Sequence, residues 1–133
     1  MITTDNIVEI QNLLTLYTYF LDERKFSIAH EIFTDDATYD MSAFGPEKAI
    51  GLPAIVELMR KTSHPLLHTA LSPLVREDPD GTVRVISRCM AAVDGGSVGV
   101  ATYHDVVRRT PQGWRIAERL VTPRTREAIP GDS

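Results

Sequence analysis

Among the residues of this chain whose types could carry chemistry, Asp22 and His68 stand out. Asp22 closes a strongly apolar helical stretch, where helix geometry sets it above Thr15, Thr18 and Tyr19 on one side. His68 sits in the uncharged run Pro65-Leu-Leu-His-Thr-Ala-Leu71, which reads as an otherwise apolar strand. A neutral imidazole beside a carboxylate can take a proton near neutral pH, while the carboxylate fixes its tautomer and stabilises the charged form. Each residue alone also has a plain structural reading. Asp22 could be a solvated helix-end acid, although the helix dipole disfavours an acid there, and His68 could be a core histidine bonded to backbone or hydroxyl.

Other candidates rank behind these two. His104, in Thr102-Tyr-His-Asp105, shares strand parity with Val98, Val100 and Val106, a parity that lets it point into the same cavity. Tyr17 belongs to the apolar stripe of the first helix, as a packed ring or a hydrogen-bonding phenol. Asp40 follows a polar turn at Asp35 and Asp36 and is placed to line a cavity mouth. His64, before Pro65, is expected to be exposed, and His30 superficial. Cys89 lies mid-strand between Arg88 and Met90 and reads as a buried, inert thiol. Arg84 and Arg88 read as solvated strand residues.

The rest of the composition narrows the classes. There is no H-E-x-x-H, no paired C-x-x-C, no G-x-S-x-G and no phosphate-cradling glycine loop, so neither a metal nor a cofactor is expected. The 133 residues, 43% apolar and 24% charged, fit one domain with its site inside a single core. A net charge of −4 without a basic patch argues against nucleic acid as a partner. One cysteine allows no internal disulfide, and the N-terminus lacks signal-peptide regions, so a cytoplasmic location is expected. The longest stretch without Lys, Arg, Asp or Glu, from Thr62 up to Arg76, holds two prolines and two histidines, and no membrane span is expected.

Those side chains need elements to hold them. A cap at Asp5 or Asn6 and the spacing Ile7, Ile10, Leu14, Tyr17, Leu21 predict a buried first helix, broken at Asp22-Glu-Arg-Lys25. A short second helix through Ile28 and Ile32 to Phe33 follows, then a short strand from Thr38 to Met41 and a loop from Ser42 to Gly51. Pro53 opens a third helix. From Leu66 the pattern is β: Leu66 to Val75, Thr82 to Val93, Val98 to Arg109 and Trp114 to Val121, separated by turn residues. Helices first and a meander after predict an α+β fold, with about three N-terminal helices packed on one face of a strongly curved, mainly antiparallel sheet. The domain is expected to span 1–122, with a loosely ordered tail at 123–133.

The pattern resembles the SnoaL-like branch of the nuclear-transport-factor-2-like superfamily, an α+β cone fold. The stretches that carry the resemblance are Tyr17-Thr-Tyr-Phe-Leu-Asp22, Ile32-Phe-Thr-Asp-Asp-Ala-Thr-Tyr-Asp40, His68-Thr69, and Gly99 to Arg109 followed by Gly113-Trp-Arg-Ile116. Asp22 and His68 fall on the positions of the aspartate and histidine used by scytalone dehydratase and hexachlorocyclohexane dehydrochlorinase. The resemblance therefore implies a cofactor-independent lyase or isomerase that abstracts a proton from a hydrophobic small molecule. Asp22 and His68 would be catalytic, with Tyr17, Tyr39, Asp40 and His104 as substrate-binding candidates. It also implies a homodimer paired through the sheet. The alternative is a non-catalytic ligand-binding or dimerisation module of the same fold. The sequence departs from related branches. Arg88-Cys-Met90 stands where the dehydratase has a second catalytic histidine, and Met41 stands where the steroid isomerases place their base. Neither Arg84-Val-Ile86 nor Arg88-Cys-Met90 supplies the acid of the epoxide hydrolase Arg-x-Asp motif.

Overall fold

The computed structural model describes all residues except 128, 130 and 133, so those positions of the expected tail lie outside the described residues. Helix α1 spans Thr4–Asp22. Its cap is Thr3, two or three residues before the expected Asp5 or Asn6, because the Thr3 side chain accepts from the Asn6 amide while the Asn6 side chain accepts from the Thr3 amide. Ile10, Leu13, Leu14, Tyr17, Phe20 and Leu21 are buried along it, the three-and-four spacing of a core-facing helix. At the other end Arg24 adopts φ +54 and its guanidinium donates to the Leu21 carbonyl, which stops the helix just beyond Asp22.

The second helical segment is a 3-10 helix at Phe26–Glu31, shorter than its apolar spacing suggests. Strand β1, Phe33–Asp40, absorbs the acidic stretch read as a turn. Its register against its neighbour shifts between Phe33 and Thr38, and the irregularity leaves Asp35 and Asp36 exposed, Asp36 paired with Arg108. Turn-forming composition at a bulge therefore mimics a loop. Inside the expected loop a two-residue strand, β2 at Ala49–Ile50, pairs with β1. Gly51, at φ +90, then opens helix α2 at Leu52–Lys61, with Pro53 in its first turn.

The remaining strands are β3 at Leu67–Glu77, β4 at Val83–Ala92, β5 at Val98–Thr110 and β6 at Gly113–Pro123. The six form one sheet in the order β2-β1-β6-β5-β4-β3, antiparallel except for the β1–β6 pair. Helix α1 packs on both β3 and β6, which are separated by two strands, so the sheet curls around the helix. The edge strand β3 is interrupted at Ser72-Pro73, where Ser72 takes φ +47 and the register shifts. Strand β4 alternates buried and exposed throughout, so the sheet has a true inside and a true outside.

Candidate functional site

The inside of the curl holds a cavity of about 430 Å³ between α1, the end of α2 and the inner residues of β1, β3, β4 and β5. Its wall is largely apolar, with Leu21, Met41, Met59, Ala91 and Val121 among the lining residues. Phe44 in that wall is 48% exposed, so the cavity reaches solvent.

Asp22 and His68 meet behind this wall. His68 is the second residue of β3 and faces inward opposite Ala91 of β4, while α1 delivers Asp22 at its last turn. His68 Nδ1 lies 2.6 Å from Asp22 Oδ1, and the His68 backbone amide donates to both carboxylate oxygens at 3.1 and 3.0 Å. The side chains are 7% and 9% exposed. The carboxylate accepts, so Nδ1 carries the hydrogen in this pairing and Nε2 is the bare nitrogen of the neutral ring. Nε2 has no hydrogen-bond partner among the described residues, and His68 lines the cavity. The resulting unit is an oriented base backed by a buried carboxylate.

Part of the cavity lining is phenolic. The Tyr17 and Tyr39 hydroxyls are 2.6 Å apart, and Tyr103 lines the same space. Burial raises all three phenols above their usual range, so they stay protonated at neutral pH. For Tyr17 that effect is opposed by the nearby Arg119 cation. Two hydroxyl oxygens sharing one hydrogen bond leave one O–H free to donate to a third atom.

Beneath the phenols lies an ion pair that sequence reasoning missed. Arg119 of β6 donates through Nε and Nη2 to the two oxygens of Asp105 on β5 at 2.7 and 2.8 Å, and both side chains are fully buried. The guanidinium carbon sits 4.2 Å from the Tyr17 ring centroid and 3.9 Å from that of Tyr103. Its Nη1 finds no hydrogen-bond acceptor among the described residues and is held against aromatic faces instead. The available signal was register: Asp105 and Arg119 are cross-strand partners on the inward parity.

The other candidates divide by face. Tyr17 and Tyr39 line the cavity. His104 corrects the parity argument: it does alternate with Val98, Val100 and Val106, but that parity is the outer one, and His104 bonds Thr122 on the exposed face. Tyr103 is the inward neighbour. Asp40 also lies away from the cavity, where its carboxylate accepts from the Ser42 amide. His64 departs from expectation in the other direction, since it is half-buried and lines the cavity. Cys89 is buried in the cavity wall, and burial pushes its thiol up. Among the described residues no three His, Cys, Asp or Glu side chains group as a metal site. No helix among them is long and apolar enough to cross a membrane.

The curled sheet with an enclosed helix and an inner cavity defines an α+β cone of the nuclear-transport-factor-2-like kind. The chain belongs to the SnoaL-like domain family, whose model matches residues 3–120. Similar solved structures come from Novosphingobium aromaticivorans. A proposed aromatic ring hydroxylase is 21% identical with a TM-score of 0.77, covering 98% of this chain and 94% of that one. An NTF2-like protein with a cystatin-like fold is 24% identical with a TM-score of 0.72, covering 93% and 85%. A proposed scytalone dehydratase is 16% identical with a TM-score of 0.71, covering 92% and 89%. At these identities the likeness is one of fold. No match was found among curated protein sequences.

Proposed function

We propose that this SnoaL-like chain is a small-molecule enzyme that removes a proton from a hydrophobic substrate by acid–base catalysis, in a dehydration, isomerisation or related elimination. The observation that carries the reading is the 2.6 Å contact between His68 and Asp22 at the wall of an apolar cavity. His68 Nε2 takes the proton, and Asp22 holds Nδ1–H and balances the imidazolium that forms. The free O–H of the Tyr17–Tyr39 pair donates to the substrate oxygen on which negative charge develops. The imidazolium then returns the proton, to another carbon in an isomerisation or to a departing hydroxyl, released as water, in a dehydration. The side chains described here suffice for each of these steps.

A non-catalytic module of the same fold would be better served by a sealed cone with the two residues apart, and the open, lined cavity supports the enzyme reading. The outer face of the sheet carries exposed Leu74, Ile86, Met90, Val100 and Leu120, which supports pairing of two copies through that face.

The experiment is α-proton exchange of 2-tetralone, a compact apolar ketone, in deuterium oxide followed by NMR. The chain should accelerate exchange over buffer, and Asp22→Asn or His68→Gln should lower that acceleration by ~10²–10⁴, the usual worth of a general base. Exchange at the unmutated rate in both variants would sink the assignment.

A further inference from the structure

His64 is the cavity-lining imidazole that this proton transfer leaves unused. It lies between the end of α2 and the start of β3, on the segment that leads to His68. Its Nε2 sits 2.7 Å from the Met59 carbonyl oxygen and 3.1 Å from Thr62 Oγ1. The Thr62 hydroxyl donates its own hydrogen to the Leu58 carbonyl at 2.9 Å, so its oxygen can only accept from the ring. Both neighbours of Nε2 are therefore acceptors, and Nε2 carries the hydrogen. In the neutral ring Nδ1 is then a bare lone pair, and it has no partner among the described residues.

The surroundings keep the ring neutral. Burial is the main cause that pushes the His64 imidazole below its usual range, and the Arg24 and His68 charges act in the same direction. The bond to Met59 and the Asp22 carboxylate act against them without reversing the shift. The cavity thus offers donors from the phenols, a bare nitrogen at His64 Nδ1 and, in the neutral form of its ring, one at His68 Nε2. The last is committed to the reacting proton in the reading above.

We propose that His64 is a specificity-determining residue of the cavity: its Nδ1 accepts a hydrogen bond from a hydroxyl or N–H on the ligand, so that apolar ligands carrying such a donor are preferred. A ligand without the donor would strip water from Nδ1 and leave it unpaired, which disfavours that ligand. The inference rests on the cavity taking small apolar molecules but not on Asp22 and His68 turning them over. Equilibrium binding therefore tests it separately from catalysis.

The probes are 2-naphthol and its methyl ether, 2-methoxynaphthalene, titrated against the full chain at about pH 7.5 and about pH 5, either side of the ordinary imidazole range. The unmutated chain should bind the naphthol about tenfold more tightly than the ether at the higher pH, the scale of one neutral hydrogen bond. That preference should weaken as the pH falls and the ring takes on charge, which turns Nδ1 into a donor, and burial sets this loss below the ordinary imidazole range. His64→Leu should bind the two probes equally, His64→Gln should restore part of the preference through its amide oxygen, and His68→Leu should keep it. Nitrogen NMR of the unmutated chain should show the Nδ1 resonance moving with the naphthol and not with the ether, a readout that stands if a variant fails to fold. Equal affinities in the unmutated chain, no binding of either probe, or a preference that is lost with His68 instead of His64 would each overturn the proposal. α-Proton exchange that stays at the unmutated rate in both Asp22→Asn and His68→Gln, with the naphthol preference intact, would overturn the catalytic reading and leave this inference standing.

Discussion

The two faces of strands β4, β5 and β6 are built from the same alternating pattern, yet they differ in kind. The inner face carries Cys89, Tyr103, Asp105, Arg119 and Val121, all buried. The outer face carries Ile86, Met90, Val100, His104 and Leu120, all exposed. Apolar residues therefore do not mark the inside here, and a histidine does not mark the site. What separates the faces is the company kept by polar groups. Inside, each ionised group has a bidentate or charge-assisted partner, because an unpaired charge there would be costly to desolvate. Outside, charged groups stay exposed even where they are paired, as Arg84 is with Asp78, and His104 makes a single bond to Thr122.

Substitutions can break or sharpen this contrast. The largest effect is expected at the inner wall, where Asp22→Asn should cost the ~10²–10⁴ in exchange rate set out above, with the fold retained. Asp105→Ala should cost about 3–5 kcal/mol in a denaturant titration, because it strands the Arg119 charge between two rings. A loss below about 1 kcal/mol would show that the pair is hydrated, unlike its placement here.

Tyr17→Phe should slow ketone exchange about tenfold, less than the 10²–10³ attached to a lone oxyanion donor, since Tyr39 would keep its own O–H free. On the outer face, Met90→Lys should leave exchange within about twofold while shifting sedimentation from dimer to monomer; a chain that is monomeric without the mutation ends the pairing proposal. The smallest effect belongs to His104→Ala, expected within about 0.5 kcal/mol in stability and without influence on exchange. A marked loss of activity there would erase the distinction between the faces.

The Asp22–His68 pairing was legible through the family resemblance, since the residues alone also fit a solvated helix-end acid and a core histidine. Helix α1, helix α2 and the four long strands were legible from periodicity. Strand β1 was not, since the irregularity at Asp35 and Asp36 has turn-like composition, and β2 was too short to carry a period. Arg119 and Asp105 each look like surface charges in one dimension. Only their registration across β5 and β6 makes them a buried pair.

Period-two alternation says that two sets of residues on a strand face opposite ways, but it does not say which way is in. Where one set is polar, composition decides. Here both sets of β5 are mixed, Val98, Val100 and His104 against Tyr103 and Asp105, so the sequence determined the parity and left its sign open. Helix α1, held against β3 and β6, decided the sign by covering one face of the curled sheet. The same packing set His64 at the cavity, because the chain must run from the end of α2 into β3 along the cavity wall. Sequence by itself determined the two α-helices, the four long strands and, through the family resemblance, the Asp22–His68 pairing. Tertiary structure alone decided which phenols, which charges and which second histidine share the space with them, since that depends on which face the helix covers.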